Sequence, residues 1–163
     1  EHTIGGISYY GYDSQRDKDL FIVVNYDYSS SKPYAENPEF FIGYLESGKF
    51  TSIKNFRAQN PSFKNGSQKN VLQDIFYSPS HGLFYVTFTG TTRIYRLLPE
   101  QIKQASDEPL VPVAVYNKDD AIYEIESLAI SDSGTLYIAQ NCNSEFTKDD
   151  AVTQIGALSF ISK

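Results

Sequence analysis

The stretch from Ile125 to Asn141, I-E-S-L-A-I-S-D-S-G-T-L-Y-I-A-Q-N, constrains the fold more than any other part of the chain. Leu128 and Ile130 alternate with small or polar residues, Asp132-Ser133-Gly134 reverses the direction, and Leu136-Tyr137-Ile138-Ala139 returns as a second apolar, β-prone run. A glycine closing a short polar turn between two such runs predicts a hairpin, because glycine accepts the positive φ that the turn requires.

Two upstream segments have the same form. Gly6-Ile7-Ser8-Tyr9-Tyr10 leads to Leu20-Phe21-Ile22-Val23, and Asp74-Ile75-Phe76-Tyr77 leads to Leu83-Phe84-Tyr85-Val86, as Ser127-Leu128-Ala129-Ile130 leads to Leu136-Tyr137-Ile138-Ala139. Each is followed by polar residues and a further strand, at Phe40–Tyr44, Ile94–Leu97 and Ala157–Phe160. With Leu20, Leu83 and Leu136 taken as equivalent, the spacings are 63 and 53 residues, where propeller blades repeat at roughly 40–50. Long outer loops would take up the difference. The expected fold is therefore all-β, built of β-propeller blades: about three four-stranded antiparallel sheets within a single domain over 1–163, at roughly 1–56, 71–116 and 122–163. The alternative is a β-sandwich of about ten strands, an architecture without such self-similarity.

Within this frame, Leu20–Asn25 reads as a strand buried on both faces and Leu83–Phe88 as one with strict alternation. Glu39–Leu45 and Lys49–Asn55 form a hairpin about Glu46-Ser47-Gly48. Arg57–Asn70 is a polar loop. Pro99–Ala105 is the one helix candidate, a surface insertion, since proline is tolerated at a first helical position. Leu110–Tyr116, flanked and interrupted by Pro109 and Pro112, reads as an outer-edge strand.

Composition agrees. Aromatics are 15% of the chain, with 13 Tyr and 11 Phe and no Trp, residues that suit a pleated, half-buried surface. The net charge of −6 argues against nucleic acid or an anionic membrane as partner, since both need a basic face. No apolar run approaches the roughly 20 residues of a membrane-spanning helix. The sequence starts at Glu1 and contains no Met, which favours a fragment of a longer protein. The lone Cys142 excludes an internal disulfide and is expected to be a buried, inert thiol. Asn65-Gly66-Ser67 matches the N-glycosylation pattern, relevant only in a secreted eukaryotic setting. The compartment is not fixed by the residues; an extracellular one is preferred.

The phrase E-S-L-A-I-S-D-S-G-T-L-Y-I-A resembles the blade consensus of bacterial β-propellers of the NHL and gluconolactonase-like types, in which an acidic and a small residue open the inner strand and a turn with Asp and Gly precedes a Leu-Tyr-Ile run. L-Q-D-I-F-Y-S-P-S-H-G-L-F-Y-V is a looser match. The order of these two units, with the terminal T-Q-I-G-A-L-S-F, is also similar to the C-terminal half of helveticin J-like bacteriocins of lactic acid bacteria. The first unit departs from the pattern, with Gly6 where the others carry a polar side chain.

In a propeller, ligands sit where the inner strands open at the central channel. The corresponding positions are Gly5-Gly6, Gln73-Asp74 and Glu126-Ser127, so Gln73, Asp74 and Glu126 are the candidate ligand-binding residues. The gluconolactonase resemblance implies that Glu126 matches one ligand of a divalent cation such as calcium, a hard ion that takes carboxylate and amide oxygens. The bland alternative is a set of solvated carboxylates at strand starts. Tyr26, Tyr28 and Tyr34 form a second candidate, a loop platform for a sugar or protein, because tyrosine offers an apolar face with a polar tip.

No catalytic residue is assigned. His2 and His81 are the only histidines, and nothing arranges His81 for a Ser-His-Asp site. Zinc is excluded on ligand count. The acidic groups Asp13, Asp17, Asp19 and Asp119, Asp120, Glu124, Glu126 lack calcium-loop spacing and read as solvated loops. The expectation is a binding module for a protein or glycan without catalysis and with no cofactor, calcium being the one candidate. The rivals are part of a metal-dependent lactonase- or esterase-like hydrolase using Glu126 and Asp74, and a helveticin-like bacteriocin acting on cell envelopes. Three blades do not close a ring, so another chain or the rest of a longer parent is expected to complete it.

Overall fold

The computed structural model describes residues 3–26, 36–63, 71–88, 92–118, 123–142 and 154–159. These residues form an all-β fold of propeller-like blades: two four-stranded antiparallel sheets and one of three strands. Blade 1 runs β1 (Thr3–Asp13), β2 (Lys18–Tyr26), β3 (Glu39–Glu46) and β4 (Lys49–Arg57) in spatial order. Blade 2 runs β5 (Val71–Ser78), β6 (Gly82–Phe88), β7 (Thr92–Leu97) and β8 (Val113–Lys118). Blade 3 is β9 (Tyr123–Ile130), β10 (Thr135–Cys142) and β11 (Gln154–Ser159). A short helix, α1 (Pro99–Lys103), follows β7.

The hairpin of the opening stretch is present in blade 3. Gly134 sits at φ 84°, its N–H donates to Ser131 O at 2.9 Å, and Ser131 N–H donates to Thr135 O at 3.0 Å. A residue with a Cβ would be strained there.

The first strands of the blades pack in series, β1 against β5 and β5 against β9, which makes them the inner strands. Gly6 marks the closest approach: a Cβ there would stand 3.1 Å from Ile75 Cγ1 and 3.2 Å from Ile75 N. Ser8, on the same strand, reaches across to blade 2, its Oγ accepting the Tyr77 N–H at 2.9 Å.

Two apolar clusters fill the gaps between blades. The first joins Leu20, Ile22, Val24 and Phe40 of blade 1 to Ile75, Tyr77, Leu83 and Tyr85 of blade 2. The second joins Phe84, Val86 and Ile94 of blade 2 to Ile125, Leu128, Leu136 and Ile138 of blade 3. Because blade 2 is covered on both sides, Leu83–Val86 is apolar and buried throughout, rather than alternating as the sequence suggested. Burial of each such side chain contributes about 1.5–3 kcal/mol.

Strand pairing moves one equivalence. Phe21 pairs with Tyr9 as Leu83 pairs with Tyr77 and Leu136 with Ile130. Phe21, not Leu20, thus corresponds to Leu83 and Leu136. Leu20, its neighbour in β2, faces the other way by the alternation of a strand and pairs with Gly11, beyond a second bulge in β1 at Tyr10.

Three further segments differ from expectation. The helix is short, but it is not merely a surface insertion. Ile102 is fully buried in the first cluster, and Lys54 Nζ donates to Ile102 O. The edge strand starts only at Val113, past Pro112, since proline has no N–H for the ladder. Leu110 instead bridges Ala58, with Gln59 N–H donating to Leu110 O and Leu110 N–H to Arg57 O, both at 2.8 Å. That bridge seats the polar loop after β4 on the core: Ala58, Asn60 and Ser62 are buried, Tyr85 OH donates to Gln59 O, and Ser62 Oγ hydrogen-bonds Tyr95 OH.

Candidate functional site at the inner-strand mouth

Each inner strand carries a β-bulge near its beginning. In β1 the extra residue is Gly5, between the pairs Ile4–Asn25 and Gly6–Val24. In β5 it is Gln73, between Leu72–Thr87 and Asp74–Val86. In β9 it is Glu126, between Ile125–Gln140 and Ser127–Ala139. A bulged residue is left out of the ladder and its side chain is re-aimed, which is why bulges recur next to functional sites. The three positions that the sequence set side by side as channel-mouth residues therefore share one backbone device.

The structure brings Gln73, Asp74 and Glu126 together. Gln73 Nε2 donates to Glu126 Oε2 at 2.9 Å. One residue along, Asp74 Oδ2 accepts from Ser127 Oγ at 2.9 Å and from the Leu128 N–H at 3.0 Å. Glu126 and Ser127 are exposed, and Gln73 and Asp74 are half-buried. The two pairs differ in kind. Asp74 satisfies a backbone N–H that β9, the edge strand of its sheet, turns away from the ladder, so it ties blade 2 to blade 3. The Gln73–Glu126 pair faces solvent and fixes the orientation of a carboxylate without binding any backbone group. Opposite the bulges lie Asn25, Thr87 and Gln140, polar residues at matching places in the second strands. Thr87 is 1% exposed, and its Oγ1 has no hydrogen-bond partner among the described residues.

As a cation site the mouth falls short. A calcium ion takes 6–8 oxygen ligands, while the described residues of the mouth supply two carboxylates, one of them engaged by a backbone N–H. Among the described residues no group of three His, Cys, Asp or Glu side chains converges.

His81 lies in the turn after β5, its Nδ1 3.0 Å from both Ser78 Oγ and Ser80 Oγ, and its carbonyl accepts from Arg96 Nε at 2.7 Å. No carboxylate bonds its ring among the described residues, so the ring supports a turn. Asp13 accepts the Gln15 and Arg16 N–H groups and pairs with the Arg16 guanidinium, which holds its carboxyl below the ordinary range. Tyr12 OH donates to Asp17, an interaction that raises the Tyr12 hydroxyl. This acidic group is a self-satisfied turn. Tyr28, Tyr34, His2, Asn65–Ser67, Asp119 and Asp120 lie outside the described residues, as do the side chains of Tyr26, Glu124 and Cys142.

A feature that residue-by-residue reading missed is the tyrosine set under the first blade boundary. Tyr10 stacks on Tyr77 with ring centroids 4.5 Å apart, and Tyr85 lies 5.6 Å from Tyr95. Burial, reinforced by Tyr10, pushes the Tyr77 hydroxyl up to about 12, and burial raises Tyr85 well above the ordinary phenol value. These are core groups and define no site.

No protein-family model matches the chain, and no curated protein matches it. No helix among the described residues is long and apolar enough to cross a membrane.

Proposed function

We propose that this chain is a non-catalytic β-propeller binding module that recognises a glycan or protein ligand at the inner-strand mouth and through the adjoining loops. The observation that carries the reading is the Gln73–Glu126 pair. An exposed carboxylate is held in place by an amide across a blade boundary, beside the Asp74–Ser127 contact. A carboxylate and an amide side by side present acceptors and donors at fixed positions, the chemistry that hydroxyl-rich ligands use. The resemblance to NHL and gluconolactonase-like propellers supports a ligand at this end of the inner strands by analogy of fold.

The test is a glycan array probed with the chain and with Glu126→Ala and Gln73→Ala. Selective glycan binding that both variants abolish, with unchanged melting temperatures, is the expected result. A flat array, or binding that both variants retain, overturns the assignment of the mouth. Calcium-dependent hydrolysis of gluconolactone that Glu126→Ala abolishes overturns the non-catalytic reading in favour of a lactonase-like hydrolase.

A further inference from the structure

The two blade boundaries define which residues of an inner strand face the preceding blade. In blade 2 these are Leu72, Ile75 and Tyr77, 6%, 2% and 8% exposed, packed against blade 1. In blade 3 they are Ile125, Leu128 and Ile130, 2%, 4% and 9% exposed, packed against blade 2. The pairing register places Ile4, Ile7 and Tyr9 at the same three positions of blade 1, each counted from its bulge. There the side chains are 53%, 46% and 51% exposed. The same face continues into a cavity of about 380 Å³ lined by Ile4, Val23, Phe41 and Phe50. This face has the residue types and register of a blade boundary, and none of the described residues covers it.

At the other end, blade 3 presents the complementary surface. The positions that Phe76, Phe84 and Val86 use to pack on blade 3 are held in blade 3 by Ala129, Tyr137 and Ala139. Tyr137 is 44% exposed, and Ala129 is exposed as well. Bulky side chains project from one open face, and the other is floored by alanines around a single ring. The chain thus carries both halves of a boundary of the kind it builds twice internally.

We infer that two copies of this chain associate head to tail, the Ile4–Ile7–Tyr9 face of each receiving the Tyr137 face of the other. Such a heterologous contact closes when its rotation completes a ring. Two copies of three blades give six, within the usual range of about 4–8. The occupant of the open face is another copy's blade 3, because a sheet continuing the blade boundary meets the exposed apolar positions in register.

The test is light scattering across a concentration series of the chain, of Ile7→Asp and of Tyr137→Asp. Both side chains are exposed, so the variants retain their folding, checked by circular dichroism. The wild type is expected at twice 18.4 kDa and each variant at 18.4 kDa. Mixing the two variants regenerates a dimer, since the mixture retains one intact pair of faces. A wild type that stays monomeric to the limit of solubility overturns the inference. So does a species larger than two copies. A dimer that Tyr137→Asp leaves intact also overturns it, because a symmetric contact through blade 1 alone behaves that way.

Discussion

Gln73 and Glu126 occupy the same bulge position in neighbouring inner strands, and the Gln73 amide donates to the Glu126 carboxylate at 2.9 Å. Next to them, Asp74 spans the same blade boundary by accepting the Leu128 N–H. Adjacent residues of one strand thus do different work, the one presenting a group to solvent and the other holding two sheets together.

This division predicts opposite mutational outcomes at neighbouring positions. Asp74→Ala leaves the half-buried Leu128 N–H without an acceptor and is expected to cost about 1–3 kcal/mol in urea denaturation. Asp74→Asn keeps one acceptor oxygen and recovers much of that loss. Gln73→Ala and Glu126→Ala remove an exposed contact and should change stability by less than about 0.5 kcal/mol. Equal losses at Asp74 and Glu126 would refute the division.

Ser8 performs the equivalent duty at the first boundary by a different route. Its hydroxyl accepts the Tyr77 N–H at 2.9 Å, two residues beyond Gly6, which holds the position of Asp74 and has no side chain. Ser8→Ala is expected to destabilise by about 1–3 kcal/mol, as loss of the sole side-chain acceptor of a buried N–H does. Amide hydrogen exchange at Tyr77 should accelerate more than at other β5 positions.

Thr87 makes the reverse case. Its buried hydroxyl has no hydrogen-bond partner among the described residues, so replacing it with a methyl removes a polar group that the fold does not satisfy. Thr87→Val is expected to be neutral or stabilising by up to about 1 kcal/mol. A clear fall in melting temperature would show that the hydroxyl is in use.

Alkaline pH should loosen the first blade boundary. Tyr77 titrates near 10 when unfolded and at about 12 when folded, so the folded state favours its neutral form. The corresponding stability is fully present below pH 10 and is lost as pH rises towards about 12. Melting temperatures across that window should fall less steeply for Tyr77→Phe than for the wild type. Tyr85 shifts in the same direction, so its phenolate should appear only with unfolding.

The all-β blades were legible because a strand's burial is written in its own residues. Leu83–Val86 are apolar because sheets cover both faces, Leu20, Ile22 and Val24 because blade 2 covers theirs, and Gly134 reports a turn that only a positive φ closes. The mouth residues Gln73, Asp74 and Glu126 were legible as positions, since the three inner strands begin alike. That they touch was not, because Gln73 and Glu126 lie 53 residues apart and meet only through blade packing. The shift from Leu20 to Phe21 escaped the sequence because both residues are apolar, and which of them faces Tyr9 is set by the strand pairing. Ala58, Asn60 and Ser62 read as a solvated loop, yet their burial depends on the backbone bridge to Leu110, which no side-chain pattern records.

By itself the sequence determined the strands, their turns and their grouping into three antiparallel units, since these follow from side-chain alternation, β-branched and aromatic content, and single glycines. The tertiary structure alone decided how the units meet. It made Asp74 and Ser8 the clasps between blades, turned the Glu126 carboxylate toward Gln73, buried Ile102, and left Ile4, Ile7 and Tyr9 uncovered while their counterparts are enclosed. Local structure responds to neighbours in the chain. The fate of an apolar face or an orphaned N–H depends on which surface arrives opposite it, and that is fixed only when the sheets pack.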